Sequence, residues 1–359
     1  MADWTASMQQ TFEYYTVDPG TWRDVKRIDC VTSCSITRDS TTETLQTASI
    51  DMTDEIGETY VRVYLVTVQN GTRERFPLGT FLAQTSPASF DGRVTSCSVD
   101  CYSPLTELKE NAPALGYYVA KDANTMAKVA ELAADNMRAP VVGATSDAKV
   151  YQDFVANTDD TWLSFLSDLA ASASHTFALD EVSRVLFEPV RSIASMTPVW
   201  TYTDDNASVL YPSIDTDRDL YGIPNVVEVI YSGDTDKYYA RVENNDPNSP
   251  VSTVNRGREI TKRITSPSFA GEPTQAMVNE YAAQQLETLS TVTCSISYTH
   301  GYNGVRVGDC IRMDYERAGI TDVKAVVVSQ TITCGNGCSV SEKAQYTQAL
   351  WRYSYGTIV

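Results

Sequence analysis

The chain has 359 residues, room for two or three packed domains, and 28 Lys+Arg against 46 Asp+Glu leave it a net charge of −18. A protein that grips nucleic acid carries a basic footprint to neutralise phosphates, so that class is excluded. Hydrophobic residues at 42% and charged residues at 21% are ordinary for a globular protein, while 21 Tyr against 9 Phe, with many Thr and Val, tilts the chain toward β structure.

The start, Met1-Ala2-Asp3-Trp4, has no basic segment followed by an apolar run, so no secretory leader is expected. No stretch approaches the length of a membrane-spanning helix, and no membrane anchor is expected. Residues 24–103 read as a β-rich unit. In Ile28-Asp-Cys30-Val-Thr-Ser-Cys34-Ser-Ile36, the residues Ile28, Cys30, Cys34 and Ile36 share one strand face, and Cys97, Val99 and Cys101 repeat the pattern. Positions four apart on a strand lie about 13 Å apart, beyond disulfide reach. The CxxxC spacing is also unlike a zinc turn. These four thiols are therefore expected to be buried, reduced and unbridged. Tyr60-Val-Arg-Val-Tyr-Leu-Val-Thr-Val68 is a long β run closed by Gln69-Asn70-Gly71, a strong hairpin signal. The return strand runs from Thr72 to Gln84, and a second turn at Asp91-Gly92 leads into Arg93–Tyr102. Consecutive hairpins of this spacing predict a small barrel or sandwich.

From Pro104 the texture changes. Over residues 123–138, Met126, Val129, Ala130, Leu132, Ala133 and Met137 fall on one helical face, with Asn124 as cap and Pro140 as stop. A second helix follows Asp159-Asp160, with Trp162, Leu163, Phe165, Leu166 and Leu169 as its apolar face. Residues 176–188 read as a hairpin turning near Asp180–Ser183. Helix 161–174 is expected to carry this middle region as an independently packed connector. Asn225–Tyr231, the turn 232–236 and Tyr238–Val242 make another hairpin, and Asn244-Asn-Asp-Pro-Asn-Ser-Pro250 is an exposed loop by composition. A third helix starts at Pro273, with Met277, Tyr281, Ala282, Leu286 and Leu289 on one side. Val292, Cys294, Ile296 and Tyr298 then alternate with Thr293, Ser295, Ser297 and Thr299, and Val307–Tyr315, Val323–Thr333 and Cys338–Tyr346 complete a second β-rich unit.

Catalytic chemistry finds little support. No phosphate-binding loop, zinc-protease helix, nucleophile elbow or dinucleotide fingerprint is present. His175 falls at the end of a predicted helix and His300 beside Gly301 in a predicted turn, and both are read as structural. Asp215-Thr-Asp217-Arg-Asp219 resembles the start of a calcium loop, but Leu220 and Val226 occupy the sixth and twelfth positions where Gly and Glu belong. It is read as a solvated acidic turn. No catalytic, cofactor-binding or metal-binding residue is assigned, and no cofactor is expected. Cys334 and Cys338 flank Gly335-Asn336-Gly337, a turn short enough to set them opposite each other.

The segment order carries a resemblance. Val61-Arg-Val-Tyr-Leu-Val-Thr-Val-Gln-Asn-Gly71, Arg75-Phe-Pro-Leu-Gly-Thr-Phe-Leu82, Asp91-Gly92 and Cys101-Tyr-Ser-Pro-Leu105 resemble the amino-terminal part of tail-hub, or baseplate-hub, proteins of tailed bacteriophages and related contractile injection machines. Gly222-Ile-Pro-Asn-Val-Val-Glu-Val-Ile-Tyr231 and Val305-Arg-Val-Gly-Asp-Cys-Ile-Arg312 look like later segments of that family. The likeness covers most of residues 20–350 and lies in order and texture rather than in an invariant motif. It implies a mainly β protein with an α+β insertion: two similar barrel-like tube domains plus a connector. Residues 1–105 would be the first tube domain and 214–240 with 290–352 the second. Residues 106–213 and 241–289 would be the connector, with 353–359 a C-terminal tail. It further implies a homotrimer forming a pseudo-hexameric ring at the tail tip in the virion, assembled in the host cytoplasm. Its partners would be the tail tube or distal tail protein, the tape-measure protein, and fibre or spike proteins, and DNA would pass through without specific binding.

Two rivals stay open on the residues alone: a hydrolase whose carboxylates assemble in space, and a carbohydrate-binding adhesin of a tail tip. An acidic cleft with perturbed carboxyls favours the first; an export signal is the usual mark of an adhesin.

Overall fold

The computed structural model describes residues 2–85, 87–205, 209–233, 236–269, 272–335 and 337–352. Residues 353–359, the expected C-terminal tail, lie outside them, as do Asn336 and the middle of the 232–236 turn. Strand accounts for 46% of the chain and helix for 16%, the expected mainly β composition with a few helices. Among the described residues no helix is long and apolar enough to cross a membrane. The chain divides into two compact units, Met1–Ile214 with Ser297–Ala344, and Asp215–Ile296 with Gln345–Val359.

The first unit is built on an antiparallel sheet. Its strands run Ile320–Thr333, Val31–Asp39, Gln46–Met52, Thr95–Tyr102, Thr72–Thr85, Thr59–Gln69, Gln9–Asp18 and Arg23–Ile28, each bonded to the next. The pairing of Ile320–Thr333 with Val31–Asp39 joins residues nearly 300 positions apart, with Thr333 opposite Ser35 and Ser329 opposite Asp39. Asn70 and Gly71 both adopt positive φ, as a tight hairpin between Thr59–Gln69 and Thr72–Thr85 requires. One further pairing is parallel, Trp200–Thr203 with Cys310–Tyr315.

A bulge in this hairpin explains one of the segments that carried the resemblance. Val63 faces Gly79 but Tyr64 faces Pro77, so Leu78 is an extra residue on its strand. Gly79 sits at φ +152, and a Cβ there would lie 2.5 Å from the Phe81 ring. Only glycine fits without displacing a buried aromatic. Gly79→Ala is expected to lower stability by about 1–3 kcal/mol through overpacking, read as a lower denaturant midpoint at unchanged slope.

Both predicted helices of the middle region form, as Thr125–Asn136 and Trp162–Ser172. Asn124 caps the first, its side chain accepting from the Ala127 amide at 2.9 Å. Thr161 and Ser164 form a reciprocal capping box on the second. The expected apolar faces are buried, but the region does not pack by itself. Met126, Val129, Phe165, Leu166 and Leu169 share one core with Val17, Trp22, Tyr60 and Leu82 of the sheet. The reason is geometric: Trp22 and Tyr60 offer a large apolar surface that the helices cover. The His175–Leu179 and Val185–Pro189 hairpin docks on the same surface. Its turn accepts from the Trp22 indole at Val182 O (2.9 Å) and from the Thr80 amide at Ser183 Oγ (2.8 Å).

The second unit has its own small sheet. Val226–Ser232 pairs antiparallel with Lys237–Glu243 and parallel with Thr261–Thr265. The Gln275–Leu289 helix lays Val278, Ala282 and Leu286 on Val227, Val229 and Ala240. Met277, expected on the buried side of that helix, is 38% exposed because Val278 and Ala283 take the inward positions. The hairpin of residues 226–243 therefore joins the 261–289 segment by hydrogen bonds and packing, whereas the sequence reading grouped 214–240 with 290–352. The 244–250 loop is only partly exposed. Asn244 and Ser249 are buried and bonded to each other at 2.9 Å, which anchors both ends while the tip faces solvent.

Candidate functional site

The most chemically loaded place in the first unit is a chain of buried polar side chains. Glu342, 3% exposed, is its centre. It accepts from Gln330 Nε2 at 2.6 Å and Tyr298 OH at 2.7 Å, and lies 3.1 Å from His300 Nε2. Gln330 extends the chain by also donating to Val305 O at 2.8 Å and accepting from Arg38 Nη1 at 2.8 Å. Arg38 Nη2 donates to Leu78 O, the carbonyl of the bulge, at 2.6 Å. On the other side, Tyr202 OH meets His300 Nε2 at 3.1 Å and accepts from Asn303 Nδ2 at 2.8 Å.

The electrostatics follow from burial. Burial alone would raise the Glu342 carboxyl, but the hydrogen bonds from His300, Tyr298 and Gln330 outweigh it and hold the group below its ordinary value. Burial and then the adjacent Glu342 charge push the Tyr202 and Tyr298 hydroxyls well above theirs. A His beside a carboxylate is a catalytic pairing in many enzymes; here His300 is 0% exposed, with Nε2 3.1 Å from both Tyr202 OH and Glu342 and Nδ1 2.6 Å from Gly301 O. The arrangement ties strands together.

A cavity of about 140 Å³ lies beside Arg38, with Leu45, Gln46, Phe177, Leu179, Arg306 and Asp309 in its wall. Three of its acids are held by cations or amides. Asp180 pairs with Arg184 at 2.6 Å, Glu181 with Arg306 at 2.9 Å, and Asp309 accepts from the Arg306 amide at 2.9 Å. Burial raises the Asp309 carboxyl. Arg38 Nε and Gln46 Oε1 are buried without a hydrogen-bond partner, a donor and an acceptor beside a space wide enough for bridging water.

The singled-out residues fall as follows. His175 opens a strand rather than ending a helix, with Nδ1 2.7 Å from Ala173 O. His300 lies inside the Thr291–Gly301 strand, not in a turn, and is fully buried. Asp215 and Asp217 belong to the exposed Leu210–Arg218 strand rather than to a turn, while Asp219 just beyond it accepts from the Tyr221 amide at 2.8 Å. Among the described residues no group of three or more His, Cys, Asp or Glu is placed to hold a metal ion. All eight cysteines are free thiols, and seven are buried. Cys30 is the half-buried one, because the chain breaks between Arg23–Ile28 and Val31–Asp39 and the single strand expected over 28–36 does not form.

No protein-family model and no curated protein sequence matches the chain. Among solved structures, the tail protein from Neisseria meningitidis MC58 is 13% identical, with a TM-score of 0.60 over 94% of this chain and 96% of that one. The 43 kDa tail protein of prophage MuSo2 from Shewanella oneidensis is 12% identical, with a TM-score of 0.60 over 94% and 98%. A chain of the Francisella PdpA–VgrG complex is 8% identical, with a TM-score of 0.55 over 94% of this chain and 58% of its own. The chain thus has the fold of phage tail proteins, as its segment order implied.

Proposed function

We propose that this chain is a structural tail-hub protein. Three copies would form a pseudo-hexameric ring at the tip of a phage tail, joining the tube to fibre or spike proteins and lining the channel through which DNA leaves. The observation that carries the proposal is the shared fold over 94% of this chain and 96% of a tail protein. The burial of the polar centre supports a structural role. In this reading the tube modules come from residues 1–105 and 290–352. The connector takes 106–213 and 241–289, and the hairpin of 226–243 goes with it because it bonds to Thr261–Thr265. Two like modules repeated three times give six near-equivalent positions, which lets a trimer meet a six-fold tube. The net charge of −18 suits a wall that DNA must slide past, since a duplex carries one phosphate charge per about 1.7 Å and a basic wall would hold it. The ring would sit in the virion after assembly in the host cytoplasm, against the tube, tape-measure and fibre or spike proteins.

Light scattering on the purified protein, with class averages of the particles, tests this. The expected mass is three times the 39.5 kDa of the chain, in ring-shaped particles. A monomer at high concentration, binding no tail protein, would overturn the hub.

A further inference from the structure

We propose that Cys34 and Cys334 are a latent disulfide site, oxidised by a low-molecular-weight disulfide such as glutathione disulfide while the first unit folds. The register decides the pair. Thr333 is opposite Ser35, so the next step of the same antiparallel ladder sets Cys334 opposite Cys34. The Cys334 amide donates to Cys34 O at 2.9 Å. Directly opposed residues joined in this way have Cα atoms about 5.5 Å apart, inside the range of roughly 4.4–6.8 Å that a disulfide spans. Both side chains enter the same core cluster. Cys338, the partner that the short turn first suggests for Cys334, bonds through its own amide to Gly335 O at 3.1 Å.

Burial sets when the bond can form. Cys34 is 4% and Cys334 8% exposed, and the neighbouring Cys34 thiol together with burial holds the Cys334 thiol well above its ordinary value. A thiol so protonated and shielded is a poor nucleophile, so the finished fold protects the pair. The window is the folding step in which residues 320–333 close over 31–39, when register brings the two thiols together but solvent still reaches them. There one thiolate attacks a sulfur of the oxidant and expels one small thiolate. The second cysteine, deprotonated, attacks the mixed disulfide and expels the other. The protein loses two electrons and two protons, and the oxidant becomes two small thiols. The product staples segments nearly 300 residues apart within one unit, whatever assembly the chain enters.

The test is refolding of the reduced, denatured full chain in a buffer of reduced and oxidised glutathione, followed by alkylation and mass mapping without reductant. Six of the eight cysteines should alkylate, with Cys34 and Cys334 recovered as one linked pair of peptides. The denaturant midpoint should rise and fall back on adding reductant. Cys338→Ser should keep the link and Cys34→Ser should lose it. Eight alkylated thiols, a link between Cys334 and Cys338, or a linked species without the native circular dichroism would each overturn the proposal.

Discussion

Glu342→Ala is expected to cost the first unit about 3–5 kcal/mol, because removing one partner of a buried ionic network strands the others. His300, Tyr298 and Gln330 would all face an empty acceptor position at 0–3% exposure. Glu342→Gln keeps the shape and one acceptor oxygen, so its loss should be smaller, and a urea midpoint series on the two variants checks the order. The pH dependence has a definite sign. A carboxyl held below its ordinary value of 4.5 in the folded state stabilises fully above that value, and the contribution is lost as pH falls through the folded value beneath it. Wild type should therefore weaken as pH falls below the ordinary value of 4.5. In Glu342→Gln that slope should flatten by the share belonging to this one group, while other carboxyls held low, such as Asp204 beside Arg317, keep theirs. An equal slope in both proteins would refute the role given to Glu342.

Much of this polar centre lay in plain view of the sequence pattern. Val292, Cys294, Ile296 and Tyr298 alternate inward, and one more step of the same period reaches His300. The strand reading stopped at Thr299 because Gly301 signals a turn, and that single step turned a core residue into a loop residue. Glu342 likewise follows Val340 in phase and precedes Ala344, and Arg38 follows Cys34 and Ile36. Polar residues on an apolar phase are the signature of a buried network, and period-2 reading finds them when it is continued through the polar letter. The partners are another matter. Nothing in Val31–Asp39 says that it will pair with Ile320–Thr333, since strand propensity describes a surface and not the strand beside it. The same gap explains the domain reading. Texture separated helices from strands correctly, but the core that joins Leu166 to Tyr60 and Leu82 exists only once the chain has folded.

That shared core makes Leu166→Ala the second large effect, a loss of about 2–5 kcal/mol from the lost transfer energy and the cavity left behind. The upper part of that range is the one to expect. Leu166 is 0% exposed, and the neighbourhood is stiff rather than collapsible. Phe165 is in ring contact with Trp162, Tyr117 and Phe154 at 5.3–6.0 Å. The helix itself is pinned at its start by the Thr161–Ser164 box. Surroundings locked by rings and caps cannot relax into the space of a missing isopropyl group, so most of the cavity persists. Leu166→Met keeps nearly the same volume in a flexible chain and should cost less than about 1.5 kcal/mol. Because the cluster runs from the helix into the sheet, the loss should appear in probes of both. The near-ultraviolet signal of Trp162 in the helix and Trp22 at the sheet should shift together to the same lower denaturant midpoint. Separate midpoints would mean that the helical region unfolds by itself, as an independent connector does, and a change near zero would mean that Leu166 is not core.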